Sequence, residues 1–340
     1  MSLRAGLALC AMLLACSAVR AEEIVLKLHH FLPPTAPAHT RFLQPWCERI
    51  QKASQGRLKC QIFAAMQMGG TPAQLFDQAK DGVADIVWTV SGYTPGRFLK
   101  TEVFELPFMM TTGEATGHAM WDYVQAHAQD ETKDVKLLAV HPHGPGVFHV
   151  VKRPIRTLED FKGLKMRAPT RLTNKMLAAF GATPVGMPMT QVAESLSKGV
   201  IDGALMPYEV VPAVKVQELV KFHSETDAAY PAVYTTVLLL AMNRTRYDAL
   251  PADLRKVIDD NSGAALSADT GRILTEADAP GRQLASRNPI NTIPATELDA
   301  WKRAAQPVVD GWVKEVSGKG ADGKALLQHA QALVAKYTKR

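Results

Sequence analysis

Long apolar runs are missing from all but the first residues: no later segment holds eighteen uninterrupted apolar residues, so nothing downstream reads as a membrane span. Basic tracts interleaved with aromatics are missing as well. Lys and Arg number 39 against 33 Asp and Glu, a net charge of +6, and they are dispersed along the chain, which argues against nucleic acid as a partner. Catalytic signatures are also lacking, with no GxSxG, no HExxH, no Walker loop and no GxGxxG after a strand. Glu209, beside Tyr208, is the best lone acid and has no acid–base partner at a readable spacing, so the chain does not read as an enzyme and no cofactor is expected. His141-Pro142-His143-Gly144 lacks the spaced Cys or carboxylate partners of a metal site and reads instead as the end of a strand leading to a hinge. Cysteine is scarce, at four residues, two of them in the first sixteen. Cys47 and Cys60 remain, one on a helix and one on the next strand; both a disulfide and two buried thiols stay open, because spacing does not reveal the Cα separation.

The N-terminus has the parts of a secretory signal peptide over residues 1–21: Arg4, an apolar run from Ala5 to Ala15, and the small-residue cleavage site Val19-Arg20-Ala21. A competing reading takes Leu13-Leu14-Ala15-Cys16 as a lipoprotein box with Cys16 lipidated. Either way the mature chain lies outside the cytoplasm, where disulfides are permitted. What remains is long enough for two lobes with their own cores, at roughly 100–200 residues per domain.

The most informative stretch runs from Leu158 to Glu209. Gly163 breaks a short helical turn, Leu164 and Met166 alternate with Lys165 and Arg167 as in a strand, and Pro169 ends the pairing. Thr170 is placed to cap a helix from Arg171 to Phe180; Gly181 closes it, and Thr183 to Met187 is a second strand. A helix from Thr190 to Lys198 and a strand from Ile201 to Met206 complete a strand–helix–strand–helix–strand unit. Small ligands of open α/β sheets bind beyond the carboxyl ends of such strands, where Arg167 and the segment Met206 to Glu209 emerge. A guanidinium there suits a carboxylate, since its planar fork grips both oxygens and stays charged at any physiological pH.

The first half has the same grammar. Strands are expected at Ile24 to His30, through Leu58, Cys60 and Ile62, and at Asp85 to Val90. A helix carries Phe42, Leu43, Trp46 and Ile50, with Pro45 in its first turn or at a kink. Leu75 to Asp85 (LFDQAKDGVAD) and Leu196 to Asp202 (LSKGVID) each place a helix, a glycine and an aspartate before a buried strand, which suggests two lobes of similar design. Pro145 to Val151 and Tyr234 to Met242 are the extended stretches that cross between them. Pro251 opens a long helix reaching towards Arg287, and Trp301 to Val316 and Leu326 to Tyr337 are closing amphipathic helices.

The phrases GLKMRAPT, GATPVGMP and LSKGVIDGALMP, together with QMGGTPAQLFDQAKDGVADIV, YTPGRF, ELPFM and LPADLRKVIDD, closely resemble the substrate-binding subunits of tripartite ATP-independent periplasmic (TRAP) transporters, the DctP-type family. The resemblance runs from about Val25 almost to the C-terminus. It implies a two-lobed, periplasmic-binding-protein-like α/β fold with hinge strands and a long helix spanning both lobes. One lobe would take residues 22–145 plus 235–270, the other residues 146–234 plus 271–340. It further implies a monomeric periplasmic receptor that hands a small carboxylate to a small and a large membrane permease subunit. Arg167 matches the family arginine that pairs with the substrate carboxylate, and Arg97, within YTPGRF, reads as fixing its loop.

The candidate substrate-binding residues are Arg167, His30 and Phe31 at the end of the first strand, Trp88 and Val90 on the third, His149 and Tyr234 near the two crossings, and Thr170, Met189, Met206, Tyr208 and Glu209. This set is mostly apolar around one ionic anchor. It suits an aromatic or hydrophobic 2-oxo or 2-hydroxy monocarboxylate, with His149 or Glu209 reading the second oxygen. A small hydroxy or oxo acid, a C4 dicarboxylate or a sugar acid is the alternative within the family. The receptor of an ATP-driven importer and a secreted enzyme are the readings outside it.

Overall fold

The computed structural model describes residues 23–339. The expected leader, residues 1–21, and the question of Cys16 lie outside the described residues. Among those described, eleven strands form two sheets: β1 (Ile24–His30), β2 (Leu58–Phe63), β3 (Ile86–Val90), β4 (Val135–Pro142), β5 (Val147–Val150), β6 (Lys165–Ala168), β7 (Thr183–Gly186), β8 (Gly203–Met206), β9 (Phe222–Thr226), β10 (Val237–Asn243) and β11 (Ile290–Ile293). The first sheet runs β2-β1-β3-β10-β4 and the second β11-β9-β5-β8-β6-β7. Every residue of β3 and of β10 is buried, as expected for central strands covered on both faces.

The repeated phrase has a structural counterpart. Asp85, ahead of β3, accepts the backbone amide of Lys27 in the neighbouring β1 at 2.7 Å; Asp202, ahead of β8, accepts that of Lys165 in the neighbouring β6 at 2.9 Å. Both glycines in the phrase, Gly82 and Gly199, adopt positive φ (78° and 66°), closing the preceding helix as only a residue without Cβ does freely. Each lobe thus sets the register of its parallel core with the same carboxylate-to-backbone bond.

The chain crosses between the sheets at Pro142 to Val147 and at Ala232 to Val237, and the crossings are joined by a hydrogen bond from the Gly146 amide to the Tyr234 carbonyl at 3.1 Å. The expected helix from Pro251 to Arg287 is interrupted: helices span Ala252–Asp260 and Ala264–Ala285. Tertiary partners claim the intervening backbone. The Trp46 indole donates to the Asn261 carbonyl (2.8 Å), and the Gly263 amide, at φ +90°, donates to the Leu138 carbonyl (2.7 Å). The second piece still spans both lobes. Gly271 packs backbone to backbone on Gly113 of the helix Gly113–His127 in the first lobe, and Gly281 packs on the Tyr208 carbonyl of the second; a Cβ at either glycine would sit 2.1 Å from a carbonyl oxygen.

The helix Ala295–Ser317 begins on the second core, with Trp301 against Phe148, Phe161 and Phe180, and ends on the first, where the Trp312 indole donates to the Leu99 carbonyl (3.0 Å). The last helix, Gly323–Thr338, packs on Gly113–His127, so the C-terminal residues lie with the first lobe rather than with the second, where residues 271–340 were expected. Cys47, on the helix Gln44–Ala53, and Cys60, on β2, form a disulfide with their Cα atoms 5.7 Å apart. Arg97 fixes its loop as expected, ion-paired to Asp77 (2.8 Å) and lying over the Phe76 ring.

Candidate ligand cleft

A cavity opens between the lobes at the carboxyl ends of β1, β3, β6 and β8. The first lobe contributes Phe31, Trp88, Val90 and Tyr93; the second contributes Arg167, Met189, Met206 and Glu209. Tyr234, His143 and Thr236 enter from the crossings, and Leu274 from the long helix. Phe31 stacks flat on Trp88 (centroids 5.2 Å apart, planes within 3°), and Tyr93 meets Phe31 edge-on at 5.5 Å. Trp88 is held by its indole N–H, which donates to His141 Nε2 at 3.0 Å. That bond leaves the His141 proton on Nδ1, where it donates to the Pro142 carbonyl at 2.9 Å, and burial lowers the His141 pKa to about 4, so the ring is neutral.

Arg167 lies one residue before the end of β6, with Met166 and Ala168 pointing the other way into the second core. Its side chain is 1% exposed. Nε donates to the Met187 carbonyl at 2.9 Å and Nη1 to the Leu205 carbonyl at 2.8 Å, while Nη2 is buried with no partner. Among the described residues no carboxylate forms an ion pair with it. Burial lowers its pKa, and the Tyr93 and Tyr234 phenols work in the opposite direction, the Tyr93 oxygen coming within loose hydrogen-bonding reach of the guanidinium without giving Nη2 a well-formed bond. The Tyr234 hydroxyl, also buried, has no hydrogen-bond partner either. A guanidinium clamped by two carbonyls, with its outer nitrogen free beside a free phenol, is a preformed receptor for a carboxylate.

Eight of the twelve expected residues line this cavity: Phe31, Trp88, Val90, Arg167, Met189, Met206, Glu209 and Tyr234. Four do not. His30 is used up behind the wall, its Nε2 bonded to His39 Nδ1 at 2.9 Å and its Nδ1 accepting from the Leu32 amide. His149 has both ring nitrogens engaged, with His223 Nδ1 (2.7 Å) and the Met206 carbonyl (3.1 Å), so neither reaches a ligand oxygen in the cavity. Tyr208 turns away from the cavity, its ring against His149, into a separate groove with Glu225 and Arg282. Thr170 is occupied by the capping box of the helix Arg171–Ala179, and its methyl crowds Gly92 of the first lobe at the lobe contact.

Tyr93, His143, Thr236 and Leu274 are cavity residues that were not singled out as candidates. Tyr93 sits in the turn just beyond β3, a position where family-like strands present ligand contacts, and that placement was the available signal. Nothing local in the sequence marks Leu274, whose place depends on how the long helix crosses the lobes.

Two lobes meeting over a buried, unpaired guanidinium define a solute receptor of the two-lobed binding-protein class. The sequence matches bacterial extracellular solute-binding protein family 7 (DctP) over residues 28–315, and the chain belongs to that family, the receptors of TRAP transporters. It is similar to a TRAP solute-binding protein of Rhodoferax ferrireducens crystallised with copurified benzoate, with 52% identity, a TM-score of 0.92, and coverage of 93% of this chain and 99% of that one. A marine metagenome TRAP protein specific for aromatic acid ligands, solved with 3-hydroxybenzoate, is 44% identical with a TM-score of 0.91 over 93% and 99% of the two chains. A Bordetella bronchiseptica relative with bound (R)- and (S)-mandelate is 29% identical, with a TM-score of 0.84 over 92% and 99%. Family membership makes the chain an extracytoplasmic solute receptor. No helix among the described residues is long and apolar enough to cross a membrane.

Proposed function

We propose that this chain is the TRAP receptor for an aromatic monocarboxylate. The observation that carries the reading is the buried Arg167 Nη2, unpaired and facing a cavity lined mostly by aromatic rings, methionines and aliphatic side chains, with Glu209, His143 and Thr236 as its other polar groups. A buried charge without a partner is costly, and a ligand carboxylate removes that cost while Phe31, Trp88 and Tyr93 cover an apolar ring. A dicarboxylate or sugar acid would need several more buried polar partners, and the wall offers few. The aromatic acids in the three related structures support the same choice.

The receptor acts as a monomer in the periplasm, freed from its leader by cleavage after Ala21. It closes on the acid and is then read by a small and a large permease subunit. The moving bodies are residues 22–145 with 235–270 and residues 146–234 with 271–305, the end of the helix Ala295–Ser317 and the last helix riding with the first lobe. No catalytic step and no cofactor is needed.

A thermal-shift panel of benzoate, hydroxybenzoates, mandelate, succinate and glucuronate, followed by calorimetry, tests the reading. Ligand at about a thousand times its Kd should stabilise the native state by about 4 kcal/mol. Stabilisation by succinate or glucuronate with none from any aromatic acid would overturn it.

A further inference from the structure

Three polar atoms of the cavity wall are buried without partners: Arg167 Nη2, the Tyr234 hydroxyl and one carboxyl oxygen of Glu209, Oε2. The first two are donors that suit a ligand carboxylate. The third is an acid, and it needs a different occupant. No ion pair joins Glu209 to Arg167 among the described residues, so the internal acid does not serve as the arginine's counterion.

The surroundings of Glu209 define what that occupant is. Its backbone amide donates to Asp278 Oδ1 at 2.7 Å, which ties the segment leaving β8 to the long helix. Gly144 of the first crossing lies close against Asp278, so that a Cβ there would fall 2.0 Å from Oδ2. Burial and the nearby Asp278 raise the Glu209 pKa well above the ordinary carboxylate range, and burial raises that of Asp278 to about 8. Burial beside Asp278 thus favours the protonated form of Glu209, a carboxyl group with one O–H to give and one carbonyl oxygen to accept. The cavity wall also includes Met206, Val210 and Leu274, which offer no side-chain hydrogen bond, and the polar His143 and Thr236.

We propose that Glu209 is the specificity-determining residue of the cleft: its carboxyl group hydrogen bonds a hydroxyl that the aromatic acid carries apart from its carboxylate, and it rejects a second carboxylate in that place. A hydroxyl both donates and accepts, as Glu209 does. An unsubstituted ring leaves the buried carboxyl unmatched, and a second carboxylate adds a third acid beside Glu209 and Asp278. This inference rests on reading the cavity as the site of an aromatic acid.

The test is calorimetry at neutral pH with benzoate, 3-hydroxybenzoate, 4-hydroxybenzoate and isophthalate, on the native sequence, Glu209→Gln and Glu209→Leu. The native receptor should prefer one hydroxybenzoate over benzoate by about tenfold, the worth of one buried hydrogen bond. Glu209→Leu should bring that ratio to about one while still binding benzoate. Glu209→Gln should keep most of the preference and gain affinity for isophthalate, because an amide donates to a carboxylate without repelling it. Equal ratios in the native protein and Glu209→Leu would overturn the proposal while leaving the aromatic-acid reading intact. If Glu209→Leu does not fold, the isophthalate arm decides: no gain in Glu209→Gln overturns the proposal. Failure of the native protein to bind any aromatic acid would sink both readings together.

Discussion

The Tyr93 hydroxyl of the first lobe accepts a hydrogen bond from the Met189 backbone amide of the second at 3.1 Å. The same phenol stands beside Arg167, so one side chain joins the lobe contact to the anion anchor. Tyr93→Phe removes the bond and strands the amide. The expected loss is about 1 kcal/mol of closed-state stability, read as roughly fivefold faster ligand release in stopped-flow fluorescence, with the unliganded melting temperature little changed. Unchanged release would show that the contact does not hold the lobes together.

Arg167→Met makes opposite predictions for binding and folding. Truncating one partner of a buried charge pair costs about 2–5 kcal/mol, so affinity for an aromatic acid should fall thirty-fold or more. The unliganded protein should be no less stable, because the substitution takes a charge out of an apolar site where it had no counterion. Calorimetry and thermal melts on the same preparation check both halves. Near-native affinity would remove the anchor role, and a large loss of unliganded stability would mean that the two carbonyl bonds to Met187 and Leu205 outweigh the buried charge.

Two buried acids at the lobe contact add to a pH dependence to which Glu209 and Asp278 also contribute. Glu105 accepts from the Val237 amide (3.2 Å), and burial raises its pKa to about 8; Glu102 is raised to about 7 by burial despite its ion pair with Arg171 of the second lobe. For an acid raised in the native state, the unfolded chain binds fewer protons between the two pKa values, so stability falls as pH rises through that interval. Buried histidines such as His141 and His149, lowered to about 4 and about 3, act in the opposite sense below about pH 6.5, the unfolded value. Above that pH only the acids remain. Melting temperature should therefore fall from pH 6.5 to 8, each acid contributing up to about 1.4 kcal/mol per pH unit. Glu105→Gln should flatten the slope, and a slope identical to that of the native sequence would exclude Glu105 as a source.

The Cys47–Cys60 disulfide ties the edge strand β2 to the helix Gln44–Ala53, away from the cavity. Its sequence separation is 13 residues, a loop size for which the chain-entropy term is about 3 kcal/mol. Replacing both cysteines by alanine should lower the melting temperature by several degrees and leave ligand affinity unchanged. A matching loss of affinity would mean that the first lobe transmits strain from its edge to Trp88.

The unit from Leu158 to Glu209 was legible because each of its features is local. Gly163, Pro169, Thr170 and Gly181 act on the residues beside them, and they placed Arg167 within one residue of the observed end of β6. The repeated helix–Gly–Asp phrase was legible for the same reason, and Asp85 and Asp202 proved to do the same work in each lobe. The break in the expected helix after Asp260 was not legible. It depends on Trp46 and Leu138 reaching Asn261 and Gly263 from distant parts of the chain, and no local preference records those partners.

Composition and local pattern determined the α/β character, the strand ends that carry Arg167, Trp88 and Met206, and the apolar tone of the residues around them. Tertiary structure alone decided which polar side chains are free to meet a ligand. His149 and His30 stand at strand ends like true contacts, yet each spends both ring nitrogens on neighbours that the sheets bring alongside. Glu209 and Tyr234 stand at equally ordinary positions and keep a polar atom free. Periodicity places a side chain on a face, but the supply of partners there depends on residues far away in sequence, and that supply separates a buried structural group from one left open for the ligand.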